Sequence, residues 1–203
     1  MAYSQFTLQK VLRDFNLTLM EQGDFLNPQA TVSPSGYLAE FIDRNLPLAI
    51  AQSTEKSRSE LVISPTLLAA KEALNNRVSL FSGEDFSVDP EAGLSGVCDF
   101  IFSQSPEQSI IQAPVAVVVE AKKDDLRGGL GQCLAEMVAA QKFNQANQKP
   151  IFTIYGAVTT GTIWRFLRLE ASTVTLDLHE YPLPPIEPIL SRLVTMLEPA
   201  LPL

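Results

Sequence analysis

Apolar side chains run densest at Ala113-Pro114-Val115-Ala116-Val117-Val118-Val119, and the run stops abruptly at Glu120-Ala121-Lys122-Lys123. Five consecutive apolar residues, four of them valine, predict a strand buried on both faces of a sheet, over about 114–122. Glu120 and Lys122 share one face of it, because strand side chains alternate. Upstream, Gly96-Val97-Cys98-Asp99-Phe100-Ile101-Phe102 predicts a second strand over 96–103 with one acid inside its apolar pattern. There alternation groups Asp99 with Val97 and Ile101 and turns Cys98 and Phe100 the other way.

The same patterning organises the rest of the chain. A short helix is expected over 6–13 and a strand over 15–19. Ser35 is a candidate cap for a helix over 37–44, and Pro47 is expected to interrupt the next apolar stretch. Residues 54–76 read as helical, with two pieces or a kink at Ser64-Pro65, where serine and proline fit a cap and first turn. Further strands fall near 78–88, 151–158, 163–169 and 173–179. A helix over about 126–144 carries Leu126, Leu130, Cys133, Leu134, Met137 and Val138 at helical spacing. Gly128, Gly129 and Gly131 are costly at its start, by about 1 kcal/mol each against alanine, and imply either a loose first turn or backbone close to a ligand. Residues 181–185 read as a proline-rich connector, and 189–197 as a closing amphipathic helix. Alternating helices and strands define an α/β fold, a mixed central sheet flanked by helices.

At 203 residues, with 46% hydrophobic and 19% charged side chains, the chain suits a single domain with a sizeable core. No apolar run reaches membrane-spanning length and no signal peptide pattern opens the sequence, so a cytoplasmic protein with no membrane partner is expected. Cys98 and Cys133 are too few and too far apart for a disulfide framework or a zinc motif. The formal charge of −8 argues against broad, non-specific adhesion to nucleic acid, because phosphate neutralisation supplies most of that affinity. Any phosphate-binding patch is therefore local, with Lys56, Arg58, Lys122, Lys123, Arg127, Arg165 and Arg168 as its candidates, above all Lys56, Arg58, Lys123 and Arg127. His179 stands alone and Trp164 sits in a hairpin; structural roles are expected for both.

An acid, a second acid and a lysine at the ends of neighbouring strands suggest metal-dependent phosphodiester chemistry. The order of a helix, three strands, a helix and a strand, with Asp99 as a first acid and Glu120-Ala121-Lys122 as a triplet, resembles the PD-(D/E)XK nuclease superfamily. The resemblance covers roughly residues 54–170. It implies a restriction-endonuclease-like αβββαβ core, an N-terminal extension over 1–53, and an added strand and helix over 171–203. Glu60 matches the acid often found on the preceding helix, and Gln132 a glutamine on the following one. The hairpin Thr159-Thr160-Gly161-Thr162-Ile163-Trp164-Arg165-Phe166 is similar to a segment in the nuclease domains of type I restriction subunits. Cys98 stands where the superfamily's proline often precedes the first acid.

The resemblance implies Mg2+ as cofactor, with Mn2+ as a substitute, and nucleic acid, above all DNA, as partner. Asp99 and Glu120 are hard oxygen ligands, and the Ala121 carbonyl is a third. Lys122 would orient or deprotonate the attacking water, Glu60 would act through a water or a second metal, and Gln132 would hold substrate or a neighbouring ligand. Each has a plain alternative: a solvated strand end for Glu120 and Lys122, an edge residue answering an arginine for Asp99, and wet helix faces for Glu60 and Gln132. Only the joint pattern raises the first three above those readings. The competing function is a non-catalytic module of the same fold used for binding or assembly. A homodimer through the apolar C-terminal helix is compatible with either.

Overall fold

In a computed structural model, which describes residues 2–198, the elements run in the order α1 (Leu8–Asp14), β1 (Thr18–Gln22), α2 (Gly36–Gln52), α3 (Glu55–Arg58), a π-helical turn (Ser59–Ile63), α4 (Ser64–Ala73), β2 (Ser79–Asp85), β3 (Val97–Ser103), β4 (Val115–Ala121), α5 (Leu126–Ala146), β5 (Thr153–Thr159), β6 (Ile163–Glu170), β7 (Thr173–Asp177), β8 (Tyr181–Pro182) and α6 (Glu187–Leu197). The strands make one mixed sheet in the order β1-β7-β6-β5-β4-β3-β2, with β8 beside β6. The β1–β7 and β4–β5 pairs are parallel and the others antiparallel. Every residue of β4 is buried, as its valine run requires of a strand covered on both faces.

Two apolar layers sandwich the sheet. On one face α5 packs with α1 and the N-terminal residues Tyr3 and Phe6, over Ile101, Val118, Val158 and Leu167. On the other, α2, α4 and α6 cover Phe100, Phe102, Val117, Val119, Trp164 and Phe166. The N-terminal segment supplies β1, so residues before 53 belong to the same sheet as the rest.

Several expectations are corrected by the fold. The first strand begins at Thr18 rather than Phe15, since α1 runs to Asp14 and the chain turns through Asn16 at φ 51°. Helix α2 passes through Pro47 without ending. Its buried stripe of Leu38, Ile42, Leu46 and Ala49 continues across the proline, so tertiary burial outweighs the lost backbone bond. The break expected at Ser64-Pro65 is a widened turn over Ser59–Ile63 inside one continuous helical run. Widening accommodates a residue that cannot donate to the turn behind it, and Thr66 Oγ1 satisfies the Val62 carbonyl at 2.8 Å. Residues 181–182 of the connector form the short strand β8.

The strict alternation expected of β3 also fails, because Cys98 packs in the layer under α5 together with Ile101, opposite Phe100. The apolar face of α6, including Ile189, Leu190, Leu193 and Leu197, is buried against the chain's own core. That face is therefore occupied within the chain rather than free to pair with a second copy. Among the described residues no helix is long and apolar enough to cross a membrane.

Candidate active site

The antiparallel ladder between β3 and β4 ends at the pair Phe100–Val119. Beyond it, Asp99 Oδ2 accepts a hydrogen bond from the Ala121 N–H at 2.8 Å, so a carboxylate takes up a donor that the parting strands leave behind. On its other side Ala121 stays in register with Thr159 of β5. Glu120 is 1% exposed, and its Oε1 is ion-paired with Lys122 Nζ. The same amine donates to Gln132 Oε1 at 3.2 Å, and Gln132 Nε2 donates to Glu136 Oε1 at 3.2 Å. Gln132 and Glu136 lie one turn apart on α5, so they present the same helix face to the strand ends. The structure thus brings Asp99, Glu120, Lys122 and Gln132 together, and adds Glu136.

The glycines at the start of α5 explain how the lysine fits. A Cβ on Gly129 would lie 2.6 Å from Val158 Cγ1 and 3.0 Å from Lys122 Cγ. A Cβ on Gly131 would meet the Phe6 carbonyl oxygen at 2.3 Å. Both glycines therefore permit close packing, of strand and lysine at one and of the N-terminal backbone at the other. Neither a loose turn nor a ligand accounts for them.

The cluster holds more carboxyl groups than cations. Glu136 is completely buried; burial, with the neighbouring Glu120 charge, pushes its carboxyl well above the usual range. Burial also pushes Glu120 up to about 8, with Asp99 adding to the effect and Lys122 opposing it. Asp99 is raised too, by burial, against the opposing bond from Ala121. Burial would lower Lys122, but the Glu120 carboxylate outweighs that and holds the ammonium above its ordinary value. Glu120 Oε2 and Glu136 Oε2 are buried with no fixed donor among the described residues, and the two carboxyl groups lie in hydrogen-bond contact with each other. Acids buried and crowded together in this way hold their protons more tightly.

Other expected residues lie elsewhere. Glu60 pairs with Lys56 at 2.7 Å on an exposed helix face instead of joining these contacts. The helix carboxylate whose charge reaches Lys122 is Glu55, at the start of α3. Arg58, Lys123 and Arg127 line one open groove of about 440 Å3 together with Thr160 and Thr162, whereas Lys56 stays in its pair with Glu60. Trp164 is fully buried and donates to the Gly161 carbonyl, and the His179 side chain is 62% exposed.

Glu136 carries little signal of its own: it lies one turn after Gln132, beside the apolar stripe Cys133, Leu134, Met137, Val138 rather than within it. Glu55 offers less, only a capping threonine before it. Among the described residues, no three acidic, histidine or cysteine side chains surround a common point as metal ligands would. The donor set is nonetheless hard oxygen, with the side chains of Asp99 and Glu120 in contact with each other. These residues suit Mg2+ or Mn2+ by chemistry, with the lysine now bound where a cation would compete. Compared with known proteins, the chain matches no family model, no curated protein and no solved structure.

Proposed function

We propose that the chain is a divalent-metal-dependent nuclease of the PD-(D/E)XK type, built on a restriction-endonuclease-like core. The observation that carries this reading is the meeting of Asp99, Glu120, Lys122 and Gln132 where β3 and β4 part. The succession α4, β2, β3, β4, α5, β5, with β4 and β5 parallel, supports it as the αβββαβ order of that core. Asp99 and Glu120 would hold Mg2+, with the Ala121 carbonyl as a further oxygen. The metal, when bound, relieves charge on the phosphate and activates water. Lys122, released from Glu120, donates to a phosphate oxygen or orients the attacking water. Gln132 holds that amine through its carbonyl oxygen, and Glu136 fixes which end of the Gln132 amide faces it.

The competing reading keeps the fold for binding or assembly without catalysis. The ion pair that occupies Glu120 and the formal charge of −8 favour it. A cleavage assay on single- and double-stranded DNA and RNA, with and without Mg2+ or Mn2+, separates the two. The nuclease reading predicts metal-dependent cleavage that Asp99→Asn and Lys122→Ala abolish, with most binding kept in Lys122→Ala because that amine acts chiefly on the transition state. Wild-type protein inactive on every substrate, or cleavage indifferent to these replacements, leaves the non-catalytic module.

A further inference from the structure

We infer that the groove beside the cluster receives one single strand of DNA, laying the short run of phosphates next to the scissile one on Arg58, Lys123 and Arg127, and that a duplex is not its ligand. The inference rests on the nuclease reading and names its substrate class. Placement comes first. Lys123 is the residue directly after Lys122, and the Lys122 N–H is held by the Thr159 carbonyl at 2.8 Å. Thr160, the next residue, already lines the groove. The groove therefore opens where the cluster ends, about one nucleotide further along a bound strand.

Its cations are available. Lys10, Arg13, Lys56, Lys142, Arg168 and Arg192 are each committed to a carboxylate. Arg58 and Arg127 form no ion pair among the described residues, and Lys123 reaches only Asp124, at 3.8 Å. Arg58 is braced: its Nη1 donates to the Thr160 carbonyl at 2.9 Å and reaches Thr162 Oγ1 at 3.4 Å. Its Nε is buried and has no partner among the described residues, so only the outer edge of the guanidinium is left for a ligand. A guanidinium anchored at one corner is suited to a phosphate.

Charge then decides the number of strands. Electrostatic adhesion to a duplex grows with the number of phosphates neutralised, and a protein that relies on it makes on the order of six to ten such contacts. Here three cations share the groove with Asp124 and Glu180, on a chain whose net charge is −8. A second strand would find no further cation in the groove lining and would bring its phosphates beside Asp124 and Glu180. A single strand needs only this short run, and Leu126 and Ile163 in the groove wall offer apolar surface to its sugars or bases.

The test is equilibrium binding of a labelled single-stranded DNA oligonucleotide and of its duplex, with calcium in place of magnesium, across a salt series. Three phosphate contacts on a single strand predict a log–log salt slope of about −2, at roughly −0.7 per phosphate. Lys123→Ala and Arg127→Ala, both at exposed side chains, should each flatten that slope by about 0.7, and the duplex should bind at least about tenfold more weakly. Equal or tighter binding of the duplex, a slope that neither replacement changes, or no binding of either form overturns the inference. The nuclease reading is scored separately in magnesium. Cleavage of duplex without strand preference would sustain the nuclease and sink the single-strand assignment. Single-strand binding with the predicted slope but no cleavage would do the reverse.

Discussion

Two buried polar clusters in this chain use similar residues to opposite effect. One joins Asp24, Asp177, Tyr181 and Arg192 at the β1 side of the sheet. Asp177 is fully buried, yet its Oδ1 accepts from the backbone N–H groups of Asp24 and His179, both at 2.9 Å, and its Oδ2 from the Tyr181 hydroxyl at 2.9 Å. Asp24 Oδ1 receives Arg192 Nη2 at 2.6 Å, and the Arg192 guanidinium lies 3.9 Å from the centroid of the Tyr181 ring. Burial would raise Asp24, but Arg192 outweighs it and holds the carboxyl below its ordinary value. The other cluster, around Glu120, gathers three carboxyl groups on one lysine, one amide and one backbone N–H. The first is a joint that fastens α6 and the N-terminal segment to the sheet. The second crowds buried acids with few donors, an arrangement that costs stability.

Breaking the joint should have the larger effect on stability. Asp177→Ala strands three donors and should lower stability by about 3 kcal/mol or more, at roughly 1–3 kcal/mol for each orphaned group. Urea denaturation measures it, and a loss below about 1 kcal/mol would dissolve the contrast. Glu136→Gln should move in the opposite direction. It removes a fully buried acid that has one unpartnered oxygen, so the metal-free protein should be as stable or more stable, by up to about 2 kcal/mol at pH 8. Destabilisation comparable to that of Asp177→Ala would make Glu136 a structural residue.

Acidity sharpens the same contrast. Glu120 is raised from an ordinary 4.5 to about 8, so between those values the native state binds a proton that the unfolded chain releases. The stability this contributes is complete below about pH 4.5 and is lost as pH rises through about 8. For Asp24 the sign reverses, since its lowered carboxyl contributes stability above its ordinary 3.8 that is lost as pH falls below it. Metal-free wild type should thus lose stability from pH 5 to 8, and Glu120→Gln should flatten that limb. A flat wild-type limb would mean that the cluster's acids are already answered.

The smallest effect is the response to metal. At ten times the dissociation constant, Mg2+ or Mn2+ should add about 1.4 kcal/mol, or roughly 3–6 °C in Tm for a chain of this size. Asp99→Asn should remove that gain without lowering the stability of the metal-free protein, whereas Asp177→Asn should leave the gain intact. A thermal melt of the three proteins in a divalent-ion series reads all of these signs.

How much of the fold and site is legible in the sequence depends on how local each signal is. The valine run of β4 announces its burial on both faces, and the charged pair at its end is anomalous without any knowledge of neighbours. Asp99 stands out for the same reason, whereas Gln132 is marked only by a family likeness. Glu136 is hard to single out because a glutamate on a helix is ordinarily wet, and only the packing of α5 between the sheet and the N-terminal segment buries it. Pro47 misleads because helix propensity is local, whereas the stripe that holds α2 together is fixed by α4 and the core. Lys56 and Glu60 flank the groove residue Arg58 in sequence, but the helical spacing of four residues pairs them with each other.

In the proposed site Asp99 and Glu120 take the metal, and Lys122 holds their place closed without it. A crystal soaked in Mn2+ and measured for anomalous scattering decides this. The predicted result is one strong peak within ligand distance of Asp99 and Glu120 carboxylate oxygens, with Lys122 Nζ displaced from Glu120. A crystal whose only manganese lies elsewhere, with the Lys122–Glu120 pair unbroken, would contradict it.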